Sequence, residues 1–232
     1  MPTVSTRVSP GGPFRFVWLH GFASAPTTSK GQLVRARLAE RGAWLALPDL
    51  NQPGFRTLTV GRMLGQLDAL WEETAGAPLV LFGSSLGGYT AAAWAAAHPD
   101  RCAALVLLAP AFALGPRWTL RMDPADVARW RGQGELEFEH YAWGRKEPLQ
   151  IGFLEDAERR PDFPLPAAET LVIQGTRDPV VDPALAREFT GRMQAAGREV
   201  RLVLLDEGHE LNRDLPALWR TIEAFLAPWL PA

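Results

Sequence analysis

Short apolar runs alternate along the chain with segments in which apolar residues recur at helical spacing. The runs occupy residues 14–19, 43–47, 78–83, 103–109, 170–175 and 200–206. Their apolar residues are consecutive, which is typical of strands buried on both faces of a parallel sheet. Between the runs, residues such as Met63, Leu67 and Leu70 recur every three or four positions, which predicts amphipathic helices. The pattern therefore predicts an α/β fold with a doubly wound, mostly parallel sheet and helices on both faces.

Two local patterns predict where helices begin. Ser29 followed three residues later by Gln32 matches a capping box, with Ser29 as the N-cap. Asp182 followed by Pro183 matches an N-cap with proline at the first helical position. Both patterns support the alternation of strands and helices.

Residues 112–168, called the insertion below, interrupt this alternation. The insertion has no clear strand pattern, is rich in aromatic residues and ends in the proline-rich stretch RRPDFPLP at 159–166. Long segments between core strands are more often functional than structureless, so we expect a helical lid within a single domain of residues 1–232. Four of its aromatic residues are candidates for binding substrate: Trp118, Trp130, Tyr141 and Trp143.

Composition excludes several classes of function. The net charge of −2 gives no basic surface for nucleic acid or for a membrane. The single cysteine, Cys102, excludes an internal disulfide, and no apolar signal segment opens the chain, so we expect a cytoplasmic protein. Four scattered histidines and one cysteine show no metal-ligand spacing, and no phosphate-binding loop is present. We therefore expect a small-molecule substrate, no metal and no cofactor; the oligomeric state is not indicated.

One short motif predicts a catalytic serine. The letters GSSLG at 83–87 fit G-x-S-x-G with Ser85 at the centre, whereas Ser84 has Phe82 two residues before it. In this motif the serine occupies a sharp strand-to-helix turn that exposes its hydroxyl, and the small residues two positions away relieve the crowding. Because a predicted strand precedes the motif and an alanine-rich segment follows it, we interpret Ser85 as a nucleophile. An inert serine in a glycine-rich turn is the alternative.

A serine nucleophile needs a general base and an orienting acid. In this type of fold they follow in the order Ser, Asp or Glu, His. Asp178 stands three residues past Gly175, at the end of the run 170–175, and is the candidate acid. The alternative for Asp178 is an ordinary turn aspartate, and Asp182 is a rival acid that is better explained as a helix cap. His209 follows the last predicted strand and is the candidate base.

Acyl transfer also needs N–H groups that stabilise a developing negative oxygen. One donor is expected in the loop after the first strand and the other directly after the nucleophile. These positions predict an oxyanion hole formed by the backbone N–H groups of Phe22 and Leu86. The alternative for the first loop is an ordinary glycine turn at the end of a strand.

Four motifs resemble those of the α/β-hydrolase family, in the same order: HGF at 20–22, GSSLGG at 83–88, GTRDPVV at 175–181 and GHEL at 208–211. The stretch LHGFASAPTTSKG at 19–31 is most similar to the small bacterial esterases of the YqiA kind. The resemblance implies a carboxylesterase or thioesterase with the triad Ser85, Asp178 and His209. It also implies a sheet without the family's first two strands, because few residues precede the first apolar run.

The residues and the resemblance together predict a serine hydrolase that cleaves an ester or thioester of a small to medium acyl group through an acyl-enzyme. Epoxide and haloalkane hydrolases are excluded because they need an aspartate in place of Ser85. Two alternatives stay open. One is a cofactor-free perhydrolase that uses the same triad, and the other is a binding protein that has the fold without turnover.

Overall fold

The structure is a computed structural model that describes residues 13–231. Its strands are β1 (Arg15–Leu19), β2 (Leu45–Ala46), β3 (Leu79–Ser84), β4 (Cys102–Leu108), β5 (Glu135–His140), β6 (Arg145–Gln150), β7 (Glu169–Gly175) and β8 (Val200–Leu205). Its helices are α1 (Ser29–Glu40), α2 (Val60–Glu72), α3 (Leu86–Ala97), α4 (Leu114–Leu120), α5 (Pro124–Gln133), α6 (Gly152–Glu158), α7 (Pro183–Ala195) and α8 (Leu215–Leu226). A 3₁₀ turn spans Phe55–Thr57.

The main sheet has six strands among the described residues, in the order β2-β1-β3-β4-β7-β8, and every neighbouring pair is parallel. Each of the six apolar runs in the sequence overlaps one of these strands, so the predicted fold class is confirmed. The chain passes from β1 to β2 on one side and returns to β3 on the other side of β1. The carboxyl ends of β1 and β3 therefore flank a topological switch point, where α/β proteins bind ligands.

Two apolar layers cover the two faces of the sheet. Within one strand, Val17 and Leu19 belong to the layer under α2, α3, α7 and the insertion, while Phe16 and Trp18 belong to the layer under α1 and α8. Both sets are almost fully buried. Burial of successive residues on opposite faces is the reason that these strands read as continuous apolar runs.

The helix-start predictions have different outcomes. Asp182 is the N-cap of α7, where its side chain accepts the N–H of Ala184, and Pro183 is the first helical residue, as predicted. The prediction for α1 is wrong by one residue, because Thr28 is the N-cap and accepts the N–H of Gly31. Ser29 is the first helical residue. The sequence TTS offers adjacent hydroxyl residues, so spacing alone does not distinguish them.

The insertion is not wholly helical, contrary to the expectation. It contains α4, α5 and α6, but β5 and β6 form an antiparallel hairpin of their own, with Glu135 paired to Gln150 and His140 paired to Arg145. Its apolar side chains continue the layer over α2 and α3. The expectation of missing N-terminal strands concerns in part residues 1–12, which lie outside the described residues. Within residues 13–231 no helix is both long and apolar enough to cross a bilayer.

Candidate active site

Ser85 occupies the sharp turn that the sequence predicts. It lies between β3 and α3 with φ 52° and ψ −115°, a backbone conformation that residues other than glycine rarely adopt. Its N–H donates to the carbonyl of Leu108 at 2.9 Å, and its carbonyl accepts the N–H groups of Tyr89 and Ala111 at 3.1 and 3.0 Å. These bonds to α3 and to the chain after β4 hold the strained turn in place.

The two flanking glycines are required by close backbone contacts. A Cβ on Gly83 would lie 2.4 Å from the carbonyl oxygen of Gly87, and one on Gly87 would lie 2.2 Å from the carbonyl oxygen of Leu19. Both distances are far below van der Waals contact. The second contact also shows that the start of α3 packs directly against the end of β1.

Asp178 and His209 form a hydrogen-bonded pair. His209 Nδ1 lies 2.8 Å from Asp178 Oδ2, which also accepts Nε2 of Gln174 at 2.8 Å. The other carboxylate oxygen, Oδ1, accepts the backbone N–H groups of Val180 and Val181 at 2.7 and 2.9 Å. The predicted acid and base are therefore brought together, although their catalytic roles stay predictions.

The pKa of Asp178 is lowered from its ordinary value by opposing effects. Burial raises the pKa of this carboxyl, whose side chain is fully buried, while the hydrogen bonds from His209 and from the N–H groups of Val181 and Val180 lower it further than burial raises it. Asp178 is consequently an ionised partner for the imidazole of His209.

Backbone contacts fix the loop of the base against the loop of the acid. The N–H of Thr176 donates to the carbonyl of Leu205, and the N–H of Arg177 donates to the carbonyl of Glu207, at 2.8 and 3.0 Å. A Cβ on Gly175 would lie 2.4 Å from the carbonyl oxygen of Gly208. The glycine allows the ends of β7 and β8 to approach until Asp178 reaches His209.

One cavity of about 660 Å³ contains both Ser85 and His209 in its wall. Gly21 and Phe22, from the loop after β1, line the same cavity, and a Cβ on Gly21 would lie 3.4 Å from the Cβ of Ser85. Leu86 is the first residue of α3, so no preceding turn of the helix supplies an acceptor for its N–H. The two predicted oxyanion donors thus flank the switch point between β1 and β3, and their role stays a prediction.

The four aromatic candidates of the insertion are in different places. Trp118 and Tyr141 line the cavity. Trp130 does not, because it is fully buried and its Nε1 donates to the carbonyl of Leu149. Trp143 does not either, because its ring stacks on His140 with centroids 3.7 Å apart. Trp130 and Trp143 therefore lie outside this cavity, and substrate binding by Trp118 and Tyr141 stays a prediction.

Other residues of the insertion that the sequence prediction missed complete the wall. Together with the predicted Trp118, four of them follow one helix face in and just after α4: Leu114, Arg117, Arg121 and Met122. Phe138 of β5 lines the cavity as well. The i, i+3, i+4 pattern that starts at Leu114 is the signal in the sequence that could have identified this face.

Lys30 is a further residue that the sequence prediction missed. Its ammonium is almost fully buried in the cavity wall, donates to the carbonyl of Glu210 at 2.5 Å and lies 3.7 Å from the carboxylate of the same residue. Burial lowers the pKa of Lys30, and the interactions with Glu210 oppose that change. The contact joins α1 to the residue after His209. Nothing in the local spacing of Lys30 signals a partner 180 residues away.

In residues 13–231, no group of three or more His, Cys, Asp or Glu side chains is arranged as a metal site.

The profile of one family, described as an uncharacterised protein family (UPF0227), matches residues 15–226. Among curated proteins, the chain is similar to lipase LipV of Mycobacterium tuberculosis (strain ATCC 25618 / H37Rv), with 38% identity over 114 residues. The match covers 47% of this chain and 41% of LipV, so the chain spans less than half the length of that relative.

Two solved structures resemble this one over most of the chain. Alpha/beta hydrolase domain-containing protein 10 from mouse has a TM-score of 0.76 and 18% identity, with 96% of this chain and 92% of that chain covered. Est1E from Butyrivibrio proteoclasticus, solved with bound ferulic acid, has a TM-score of 0.77 and 18% identity, with 94% and 89% covered. At these identities the likeness is one of fold.

Proposed function

The chain belongs to the UPF0227 family and has the α/β-hydrolase fold, and from this premise we propose that it is a serine hydrolase of carboxylic esters or thioesters. One observation carries the proposal: Ser85, held in a strained turn, lines the same cavity as His209, whose ring is bound to the buried Asp178. Strain of this kind persists where the surrounding structure maintains it and is concentrated at functional sites. The similarity to a lipase supports an ester as the substrate.

In the first half of the reaction, Ser85 Oγ attacks the carbonyl carbon of the ester and its proton passes to Nε2 of His209. Asp178 accepts Nδ1–H of His209, so it fixes the tautomer and stabilises the imidazolium that forms. The carbonyl oxygen becomes an oxyanion that the N–H groups of Phe22 and Leu86 stabilise. The tetrahedral intermediate then expels the alcohol or thiol, which takes the proton from His209.

In the second half, water attacks the acyl-enzyme and gives its proton to His209. The second tetrahedral intermediate expels Ser85 Oγ, which recovers that proton, and the carboxylic acid leaves. No metal or cofactor is needed, because each charge that develops has a protein group to stabilise it.

The insertion serves in this proposal as a lid over the acyl group. Trp118 and Tyr141 contribute apolar surface to the cavity from the insertion, while Val181 and Leu185 contribute it from the body of the molecule. A cavity of about 660 Å³ is within the usual size range for small-molecule sites. We propose small to medium acyl groups as the substrate class.

The two adjacent serines provide a matched test. We expect Ser85→Ala to lose nearly all hydrolysis of p-nitrophenyl acetate and all labelling by a serine-reactive fluorophosphonate, because Ser85 Oγ is the atom that carries the acyl group in this mechanism. Ser84→Ala should keep most of the activity and label with the same stoichiometry as the wild type. Intact-mass spectra before and after labelling measure both outcomes.

Comparable activity in the two variants would remove Ser85 from the mechanism. A wild-type protein that neither hydrolyses esters nor takes the label would instead indicate a binding protein.

A further inference from the structure

Arg121 connects the insertion to the loop of the triad acid. It is the residue directly after α4, and its side chain lines the cavity. Nη2 of Arg121 donates to the carbonyl of Pro179 and Nη1 donates to the carbonyl of Val180. Pro179 and Val180 are the two residues that follow Asp178 in the chain.

The same two peptide groups bind Asp178 from their other ends. The peptide that contains the Pro179 carbonyl also contains the N–H of Val180, which donates to Asp178 Oδ1 at 2.7 Å. The peptide that contains the Val180 carbonyl also contains the N–H of Val181, which donates to the same oxygen at 2.9 Å. Each peptide group therefore stands between a guanidinium N–H and a carboxylate oxygen.

Through these two peptide groups the guanidinium of Arg121 stabilises the carboxylate of Asp178 without a direct contact. A hydrogen bond to a carbonyl polarises the amide and strengthens its N–H as a donor, by about 10–30% per bond. Two such chains converge on Oδ1, so Oδ2 is left to accept Nδ1–H of His209. The planar fork of an arginine matches two carbonyls in a way that a single ammonium does not.

We propose that Arg121 is a positioning residue of the triad, which holds Asp178 ionised and in place through the peptide groups of Pro179 and Val180. The proposal rests on the triad of the proposed function and adds a member that comes from the insertion. Through Arg121 the position of α4 is coupled to the acid rather than only to the substrate pocket.

Other ionisable groups near Asp178 act from different elements. His209, after β8, is bound to Oδ2, and the buried ammonium of Lys30 on α1 interacts with Asp178 electrostatically. Arg117, one turn before Arg121, lies 3.5 Å from the carboxylate of Asp182 and is paired with that residue instead. Arg129 on α5 is exposed, lies outside the cavity and pairs with Asp126 at 2.7 Å, so it provides a matched removal of charge elsewhere in the insertion.

The test compares Arg121→Met with Arg129→Met in the full chain, using p-nitrophenyl butyrate. We expect Arg121→Met to lower kcat roughly tenfold with KM within about twofold, well short of the ~10⁴-fold loss expected when the acid itself is removed. The pH at which kcat/KM is half lost on the acid side should rise. The reason is that a less stabilised carboxylate attracts the proton of His209 more strongly and favours the protonated imidazole.

Arg121→Lys keeps the charge but reaches one carbonyl, so it should recover part of kcat and part of the shift in the pH profile. Arg129→Met should leave the acid limb within 0.1–0.2 pH units of the wild type, roughly the precision with which such a profile is fitted, because its charge is screened at the surface. The downfield ¹H resonance of His209 Nδ1–H provides a readout that does not depend on turnover and should move in Arg121→Met alone.

An Arg121→Met variant with wild-type kcat and an unmoved acid limb would overturn the proposal. A lower kcat with an unmoved acid limb and an unmoved Nδ1–H resonance would also overturn it, since that result describes a structural anchor. These failures are distinguishable from failure of the proposed function, in which Ser85→Ala itself retains activity.

Discussion

At the scale of single residues, two aspartates four positions apart do different work. Asp178 is buried and bound to His209, whereas Asp182 is half exposed and caps α7 by accepting the N–H of Ala184 at 2.9 Å. The two carboxylates thus differ in what they contact, and the proposed function assigns a chemical role to Asp178 and a structural role to Asp182.

Substituting Asp178 and Asp182 in separate variants tests this assignment of roles. We expect Asp178→Asn to lower kcat by about 10⁴-fold, because an amide cannot stabilise the imidazolium of His209. Asp182→Ala should keep kcat near the wild-type value and lose about 1 kcal/mol of the free energy of unfolding with the helix cap. Steady-state kinetics and urea denaturation of both variants give the two numbers, and the reverse pattern would exchange the roles of the two residues.

The residues that sequence could identify are those with a local pattern. Ser85 is marked by its glycines, and Asp178 and His209 are marked by their places after predicted strands. Lys30 and Arg121 have no such mark, since their partners are the carbonyls of Glu210, Pro179 and Val180 in distant parts of the chain. Any residue type supplies a carbonyl, so no residue letter identifies these contacts.

At the scale of elements, α4 presents one face to the cavity. The aromatic residues of the insertion are therefore of two kinds, those that line the cavity and those that lie outside it. Trp118 lies on that face, and its ring packs edge-on against Phe22 at 4.7 Å between centroids. Trp143 follows β5, outside the cavity, and stacks on His140. Only the first kind can limit the length of an acyl chain.

Acyl-chain preference measures this difference. Each buried methylene is worth about 0.8 kcal/mol, or roughly fourfold in kcat/KM, until the pocket is full. We expect p-nitrophenyl esters of roughly four to eight carbons to be preferred over acetate, on the assumption that each added methylene is buried. Trp118→Ala should move that optimum to longer chains or flatten it, and Trp143→Ala should leave it in place. If the preferred chain length moves equally in both variants, or in neither, Trp118 contributes to packing and does not limit the length of the acyl chain.

The hairpin of the insertion shows why element prediction failed there and not in the sheet. The strands of the sheet are buried on both faces and read as apolar runs, whereas β5 alternates glutamates with Leu136, Phe138 and His140. That alternation is a strand signal for a half-buried hairpin. The partner strand β6 has no such alternation, because it contains Pro148 and several charged residues. A two-stranded sheet accepts these residues because both of its strands are edge strands.

At the scale of the whole molecule, an aromatic cluster joins the insertion to the body. The ring of Phe22 lies 4.7–5.7 Å from the rings of Trp118, Phe138 and Phe153, all of which belong to the insertion. His140, fully buried, extends the cluster by packing edge-on against Phe55 at 4.9 Å. Neither ring nitrogen of His140 has a hydrogen-bond partner among the described residues.

The buried imidazole predicts a pH dependence of stability. Burial lowers the pKa of His140, and the neighbouring Glu147 and Asp49 raise it less than burial and His20 lower it. Below the ordinary value of 6.5 the unfolded chain binds a proton that the folded chain excludes, so the free energy of unfolding falls as the pH drops towards the folded-state pKa.

Substitution of His140 by Phe keeps the stacking on Trp143 and removes the proton. Between pH 7.5 and 5.5 we expect the wild type to lose more of its free energy of unfolding than His140→Phe, because only the wild type has an imidazole whose pKa is lowered by folding. Urea denaturation at the two pH values measures the difference. Equal pH dependence in the two proteins would show that folding does not change the pKa of His140.

The contact of Arg121 with the loop after Asp178 has a consequence for how this scaffold can be changed. Under the proposed role of Arg121, an insertion exchanged as a unit, in natural recombination or in protein design, would alter the wall of the substrate pocket and the support of the acid in a single step. A donor insertion would have to bring a cation to the same two carbonyls, or the recipient would start with a weakened triad. New specificity in this lineage is therefore more accessible through point substitutions on the cavity face of α4 than through replacement of the whole segment.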